Sequence, residues 1–284
     1  MVAANERCVE ANRLRFHCWD WGGAGRPAVL LHGLASNARI WDFVAPLLAE
    51  QARVVAVDQR SHGLTAGPET GYGFAETTAD LAGVVEALGF ERPVIAGHSW
   101  GANVAVEFAA RYPAVPSGIV LVDGGIFSPR GDGASWEDTE RRLAPPRLAG
   151  TPRARLLEMI RSGDLGGFWR PEFEAIIMAG FESRADGTVA PRLTYERHLQ
   201  IVRALWEVDT RARFPEVTCP VLLLPAIRGN DESAQRKREG VAAALSLLQN
   251  GRVTWLEDSV HDVPLQRPEL VAEAILDFIR GIAG

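Results

Sequence analysis

Short apolar runs recur along the chain, separated by longer stretches in which apolar positions return every three or four residues. Residues 14–19, 28–31, 53–57, 93–96, 118–122, 221–224 and 252–256 are such runs. Their lengths suit strands buried on both faces, and the amphipathic stretches between them suit helices, the last over 271–280. Alternation of this kind predicts a mostly parallel sheet covered by helices, a three-layer, doubly wound α/β fold. It lapses between Ser128 and about Thr210, where Arg, Gly and Pro become frequent and only short apolar helical fragments remain. That segment reads as a helical cap, residues 128–210, inserted into a core domain formed by residues 1–127 and 211–284. Phe168, Trp169, Ile176, Ile177, Met178, Leu205 and Trp206 are too apolar for a linker. Most such residues pack a core, but as a group some should line a pocket.

The polar residues that follow the apolar runs carry the chemistry. Val94-Ile95-Ala96 leads into Gly97-His98-Ser99-Trp100-Gly101 and then a helix-forming stretch ended by Pro113. Strand, Gly-x-Ser-x-Gly and helix together make a nucleophile elbow, whose serine sits at the tip of a strained turn. His32-Gly33 closes an earlier run, Asp58-Gln59-Arg60-Ser61-His62-Gly63 the next, Asp123 the fifth, and His261-Asp262 lies in the loop after the last. In an open α/β sheet these positions share one edge, outside the carboxyl ends of the strands.

Composition narrows the field. The 284 residues are 47% hydrophobic and 23% charged, with a net charge of −6, so electrostatics offer no attraction for nucleic acid or an anionic membrane. One lysine occurs, Lys237, within Gln235-Arg236-Lys237-Arg238-Glu239, a run that reads as the solvated face of a helix. A phosphate-holding Gly-x-x-x-x-Gly-Lys loop is absent and a Schiff-base lysine is disfavoured. Three cysteines, Cys8, Cys18 and Cys219, show neither metal-ligand spacing nor an even count, which points to a reducing, cytoplasmic setting with no metal or cofactor. No run approaches the 18 apolar residues of a membrane span. A small-molecule substrate is the expected partner; oligomeric state is left open.

The ordered set of motifs resembles the α/β-hydrolase family, of the capped serine esterase or lactonase type, over nearly the whole chain. The resemblance implies Ser99 as nucleophile and His261 as base, because His261 alone sits in a late loop continuing Asp262-Val263-Pro264-Leu265. It also implies an oxyanion hole from the backbone N–H groups of Leu34 and Trp100. The acid departs from the family pattern. After residues 221–224 the usual Gly-x-x-Asp positions are Ala226 and Gly229, and Asp231 arrives two residues late. Asp231 could instead be a helix N-cap. Asp123 needs no insertion and is preferred, with Asp231 kept as the alternative. Trp100, Phe168, Trp169, Met178 and Trp206 are the candidate substrate contacts. The expected reaction is hydrolysis of an ester, lactone or thioester of a largely apolar small molecule. Carbon–carbon bond hydrolysis, acyl transfer, and a catalytically weak receptor-like relative are the alternatives. A serine where haloalkane dehalogenases and epoxide hydrolases carry aspartate argues against both of those activities.

Overall fold

The computed structural model describes residues 4–131 and 133–282. Strands β1 (Asn5–Ala11), β2 (Leu14–Gly22), β3 (Pro27–Leu31), β4 (Arg53–Val57), β5 (Val94–His98) and β6 (Gly118–Val122) come first, with helices α1 (Ala45–Leu48), α2 (Phe74–Leu88) and α3 (Trp100–Arg111) among them. Between β6 and the next strand of the main sheet the chain forms α4 (Trp136–Leu143), β7 (Thr151–Pro152), α5 (Arg153–Arg161), α6 (Phe173–Met178), β8 (Phe181–Ser183), β9 (Thr188–Pro191) and α7 (Tyr195–Glu207). The chain ends with β10 (Val221–Leu224), β11 (Ala226–Ile227), α8 (Glu232–Leu247), β12 (Gly251–Val253), β13 (Leu256–Glu257), α9 (Val263–Gln266) and α10 (Pro268–Gly281).

Eight strands form the main sheet in the order β1-β2-β4-β3-β5-β6-β10-β12, parallel except for β1 and β2. The chain leaves β3 for β4 on one side and leaves β5 for β6 on the other. A crevice therefore opens at the carboxyl ends of β3 and β5, where such sheets bind ligands. Alternate strand residues face opposite layers: Val29, Leu31, Val55 and Ile95 pack with α2 and α3, while Ala28, Leu30, Val54 and Ala96 pack with α1 and α10. Burial on both faces explains why the strands read as unbroken apolar runs.

Two departures from the sequence reading have local causes. β1 lacks an apolar run because, as the edge strand, it buries only Val9 and Ala11. The single late strand expected over 252–256 is divided, β12 pairing with β10 and β13 with β11. Pro225 separates β10 from β11 and has no N–H to continue the ladder. The stretch between β6 and β10, besides α4 to α7, carries a small antiparallel sheet ordered β7-β9-β8 that the sequence reading did not anticipate. α4 starts on Ser135 and α7 on Thr194, each hydroxyl accepting an N–H three residues on.

Candidate active site

Ser99 joins β5 to α3 with φ 52° and ψ −118°, a conformation L residues rarely adopt. The turn is this tight because the flanking glycines have no side chain. A Cβ on Gly101 would stand 2.7 Å from the carbonyl oxygens of Leu31 and His32, and one on Gly97 would collide with the Gly101 carbonyl. The Ser99 N–H donates to Val122 O at 3.0 Å, tying the elbow to the end of β6, where Asp123 follows at once. Trp100 occupies the first position of α3, where backbone N–H groups have no intrahelical acceptor.

Three side chains from separate loops form one hydrogen-bonded chain. Ser99 Oγ–H donates to His261 Nε2 at 3.0 Å, and His261 Nδ1–H donates to Asp123 Oδ2 at 2.7 Å. The other carboxylate oxygen of Asp123 accepts the Ala226 N–H at 3.0 Å and Lys237 Nζ at 2.7 Å. Asp231 is not part of this chain; its side chain accepts the Ala234 N–H at 2.9 Å and caps α8. Lys237 departs from the sequence reading, which put it on a solvated helix face. It points inward because a carboxylate and a carbonyl converge there to receive it. Only its standing as the chain's sole lysine could have drawn attention to it.

The local charges follow from these contacts. Burial pulls the Asp123 pKa upward, but the His261 hydrogen bond and the charge of Lys237 leave it below the ordinary carboxylate value. Burial likewise opposes the charged form of His261, yet the hydrogen bond and charge of Asp123 hold its pKa above the ordinary 6.5. His98, the second residue of the elbow motif, lies with its ring 4.9 Å from that of His261 and donates Nε2–H to the His261 carbonyl at 2.9 Å. Burial and the neighbouring His261 push its pKa down to about 4, so it stays neutral.

The loop after β3 is held from beneath. Ala38 N–H donates to Asp58 Oδ1 at 2.7 Å, Gln59 N–H to His32 Nε2 at 3.0 Å, and Ala35 N–H to His62 Nε2 at 3.2 Å. Burial drives His62 well below its ordinary pKa, leaving it a neutral acceptor. The same loop brings Gly33, the residue before Leu34, against the serine; a Cβ on Gly33 would stand 3.0 Å from Ser99 Cβ. Trp100 stacks on His62 with ring centroids 5.4 Å apart.

Beside this chain lies a cavity of about 600 Å³ between the sheet's carboxyl edge and the inserted segment. Leu34, His62 and Asp262 face it from the core; Ile176, Ile177, Phe181 and Tyr195 face it from the insertion, with Arg147 and Arg184. Arg147 lies over the Tyr195 ring at 3.9 Å. Ser99 and His261 are not in its wall, although Asp262, which follows His261 in the chain, and Leu34, which follows the Gly33 that packs on Ser99, are. Of the five substrate contacts expected from sequence, none lines the cavity. Trp100 is buried against His62. Phe168 and Trp169 each pack edge-on to Phe173 at 5.9 Å. Met178 ends α6 half-buried, and Trp206 packs edge-on to Trp136 and donates Nε1–H to Ala134 O at 2.9 Å. Bulk alone could not separate packing aromatics from cavity ones.

Residues 28–274 match the model of the alpha/beta hydrolase family. The chain belongs to the alpha/beta hydrolase family. This alpha/beta hydrolase is 28% identical over 261 residues to the 2-(acetamidomethylene)succinate hydrolase of Mesorhizobium japonicum, covering 90% of this chain and 89% of that one. It is 30% identical over 291 residues to epoxide hydrolase 1 of Caenorhabditis elegans, covering 97% and 70%. The crystal structure of E-2-(acetamidomethylene)succinate hydrolase superposes with a TM-score of 0.81 at 24% identity over 98% of this chain and all of that one, a likeness of fold. No helix among the described residues is long and apolar enough to cross a membrane.

Proposed function

We propose that this alpha/beta hydrolase cleaves the acyl bond of a carboxylic ester, lactone or thioester of a small, largely apolar molecule through a covalent acyl-enzyme. The observation that carries the reading is the unbroken hydrogen-bonded chain from Ser99 Oγ through His261 to Asp123. Ser99 Oγ attacks the carbonyl carbon while His261 Nε2 takes its proton, since a serine hydroxyl is a weak nucleophile without an adjacent base. Asp123 holds the imidazole with Nδ1 protonated and stabilises the imidazolium that forms. The tetrahedral oxyanion is received by the N–H groups of Leu34 and Trp100. His261 then protonates the leaving group, and water, deprotonated by the same nitrogen, releases the acid. The apolar wall of Ile176, Ile177 and Phe181 suits the substrate body. A serine at the elbow argues against epoxide opening despite the similarity to an epoxide hydrolase.

A second reading has its own support. Arg147 and Arg184 in the cavity wall, and the similarity to a hydrolase named for an acetamido group on a succinate skeleton, favour an amide of an acidic small molecule. The same residues would cleave it, with the leaving nitrogen protonated by His261. A fluorophosphonate should label the wild-type protein and not Ser99→Ala; absence of labelling at any pH would sink both readings. Turnover of a panel of neutral esters, lactones and thioesters against N-acyl dicarboxylates separates them. Faster hydrolysis of the acidic amides assigns the second.

A further inference from the structure

Lys237 is the one lysine in a chain whose 30 Lys and Arg residues are otherwise all arginine. It lies on α8, two turns beyond the Asp231 cap, and reaches back to the sheet edge. Its Nζ donates to Asp123 Oδ1 and to the Ala226 carbonyl, each at 2.7 Å, and its side chain is 23% exposed against 5% for Asp123. Asp123 Oδ1 thereby has two donors, Ala226 N–H and Lys237, while Oδ2 is left to His261. A compact ammonium with three rotatable donors can serve two acceptors on different sides; the flat fork of arginine is made for two oxygens of one carboxylate. β11, which supplies both the Ala226 N–H and the Ala226 carbonyl, lies in the stretch where the family's usual acid pattern is missing.

We propose that Lys237 is a positioning residue for the reaction. By gripping Oδ1 it fixes the plane of the Asp123 carboxylate, so that Oδ2 meets His261 Nδ1 and the imidazole presents Nε2 to Ser99. The inference rests on the reading of Ser99, His261 and Asp123 given above. The competing account makes Lys237 a bystander cation. The two differ in sign. The charged groups facing His261 are Asp123 and Asp262, which favour the imidazolium, and Lys237, which disfavours it; His98 packs against the ring in its neutral form. Deleting a bystander cation would raise the His261 pKa and leave the maximal rate alone. Deleting a grip on Asp123 weakens the Asp123–His261 contact, which lowers that pKa and the maximal rate together.

The test is the pH dependence of the second-order rate of Ser99 labelling by a fluorophosphonate, for wild type and Lys237→Met. The expected result is a plateau about ten- to a hundredfold lower, by analogy with the loss when the outer partner that orients a metal ligand is removed, with the acid midpoint moved to lower pH. A plateau within twofold of wild type overturns the inference, and so does a lower plateau whose midpoint is unmoved or raised. Should Lys237→Met fail to fold, reductive methylation of the folded wild type replaces it. Dimethylation keeps the charge but leaves one N–H for two acceptors, and a plateau unchanged by it overturns the inference. Reaction at acid pH, where the α-amino group alone is modified, is the control. Wild type that fails to label at all overturns the reading of the site as a whole, which distinguishes that failure from this one.

Discussion

Two aspartates compete in the sequence for one role, and at the level of single residues their surroundings separate them. Asp123 is buried with donors on both carboxylate oxygens, whereas Asp231 spends its side chain on a helix cap. Asp123→Asn should lower kcat by about 10⁴-fold while leaving the fold intact, the loss seen when a triad loses its carboxylate. Asp231→Ala should leave kcat within twofold and cost about 1 kcal/mol of stability as a lost N-cap, read from urea unfolding. If the kinetic losses are reversed, Asp231 is the acid. The base acts only when neutral, and the charge and hydrogen bond of Asp123 raise the His261 pKa. The acid limb of kcat/KM should therefore have its midpoint above 6.5, activity falling as pH drops through it; a midpoint below 6.5 contradicts the assignment. The elbow serine and the late-loop histidine were legible because their signals are local strings. Lys237 was not, because nothing within ten residues of it hints at Asp123, more than a hundred positions away.

At the scale of elements, the elbow is strained by design of its neighbours. The ends of β3 and β5, the start of α3 and the loop after β6 meet so closely around Ser99 that side chains are excluded at Gly97, Gly101 and Gly124. Gly97→Ala should force the Gly101 carbonyl aside and destabilise the protein by about 1–3 kcal/mol, as overpacking does. Thermal unfolding measures it; an unchanged Tm with full fluorophosphonate labelling would show that the turn has slack. The parallel strands were legible because burial on both faces leaves no polar position to blur the run. The edge strand β1 and the divided β12/β13 were not, since one buries a single face and the other is broken by a proline's missing N–H across the sheet. Helices of the insertion were visible as fragments, but its small sheet is built from strands of two to four residues, too short for any period to register.

For the whole molecule, the histidines set the response to acid. Burial holds His32, His62, His98 and His198 below the ordinary 6.5, while His17 and His261, paired with carboxylates, are raised. A base with a depressed folded pKa binds its proton more readily when unfolded, so each of the four favours unfolding as pH falls below 6.5. The raised pair adds stability only as pH falls to 6.5 and nothing further below it. Opposing the decline below 6.5 are Asp42, pushed up by burial to about 6, and Glu107, also raised by burial, but the four histidines outnumber them. Stability should decline from pH 6.5 towards about 4, where His98 itself titrates, and urea midpoints at pH 7, 5.5 and 4.5 test it. A flat profile would mean that the buried rings are protonated without penalty. Taken alone, the chain's pattern of apolar runs determined the α/β class, the order of the strands' loops and the elbow, because each is written in contiguous residues whose period or strain is local. Tertiary structure decided which aspartate faces His261, which apolar residues of the insertion line the cavity, and that the sole lysine turns inward. Those depend on which distant loops the sheet's strand order brings side by side, and adjacency between strands far apart in sequence leaves no periodic trace along the chain.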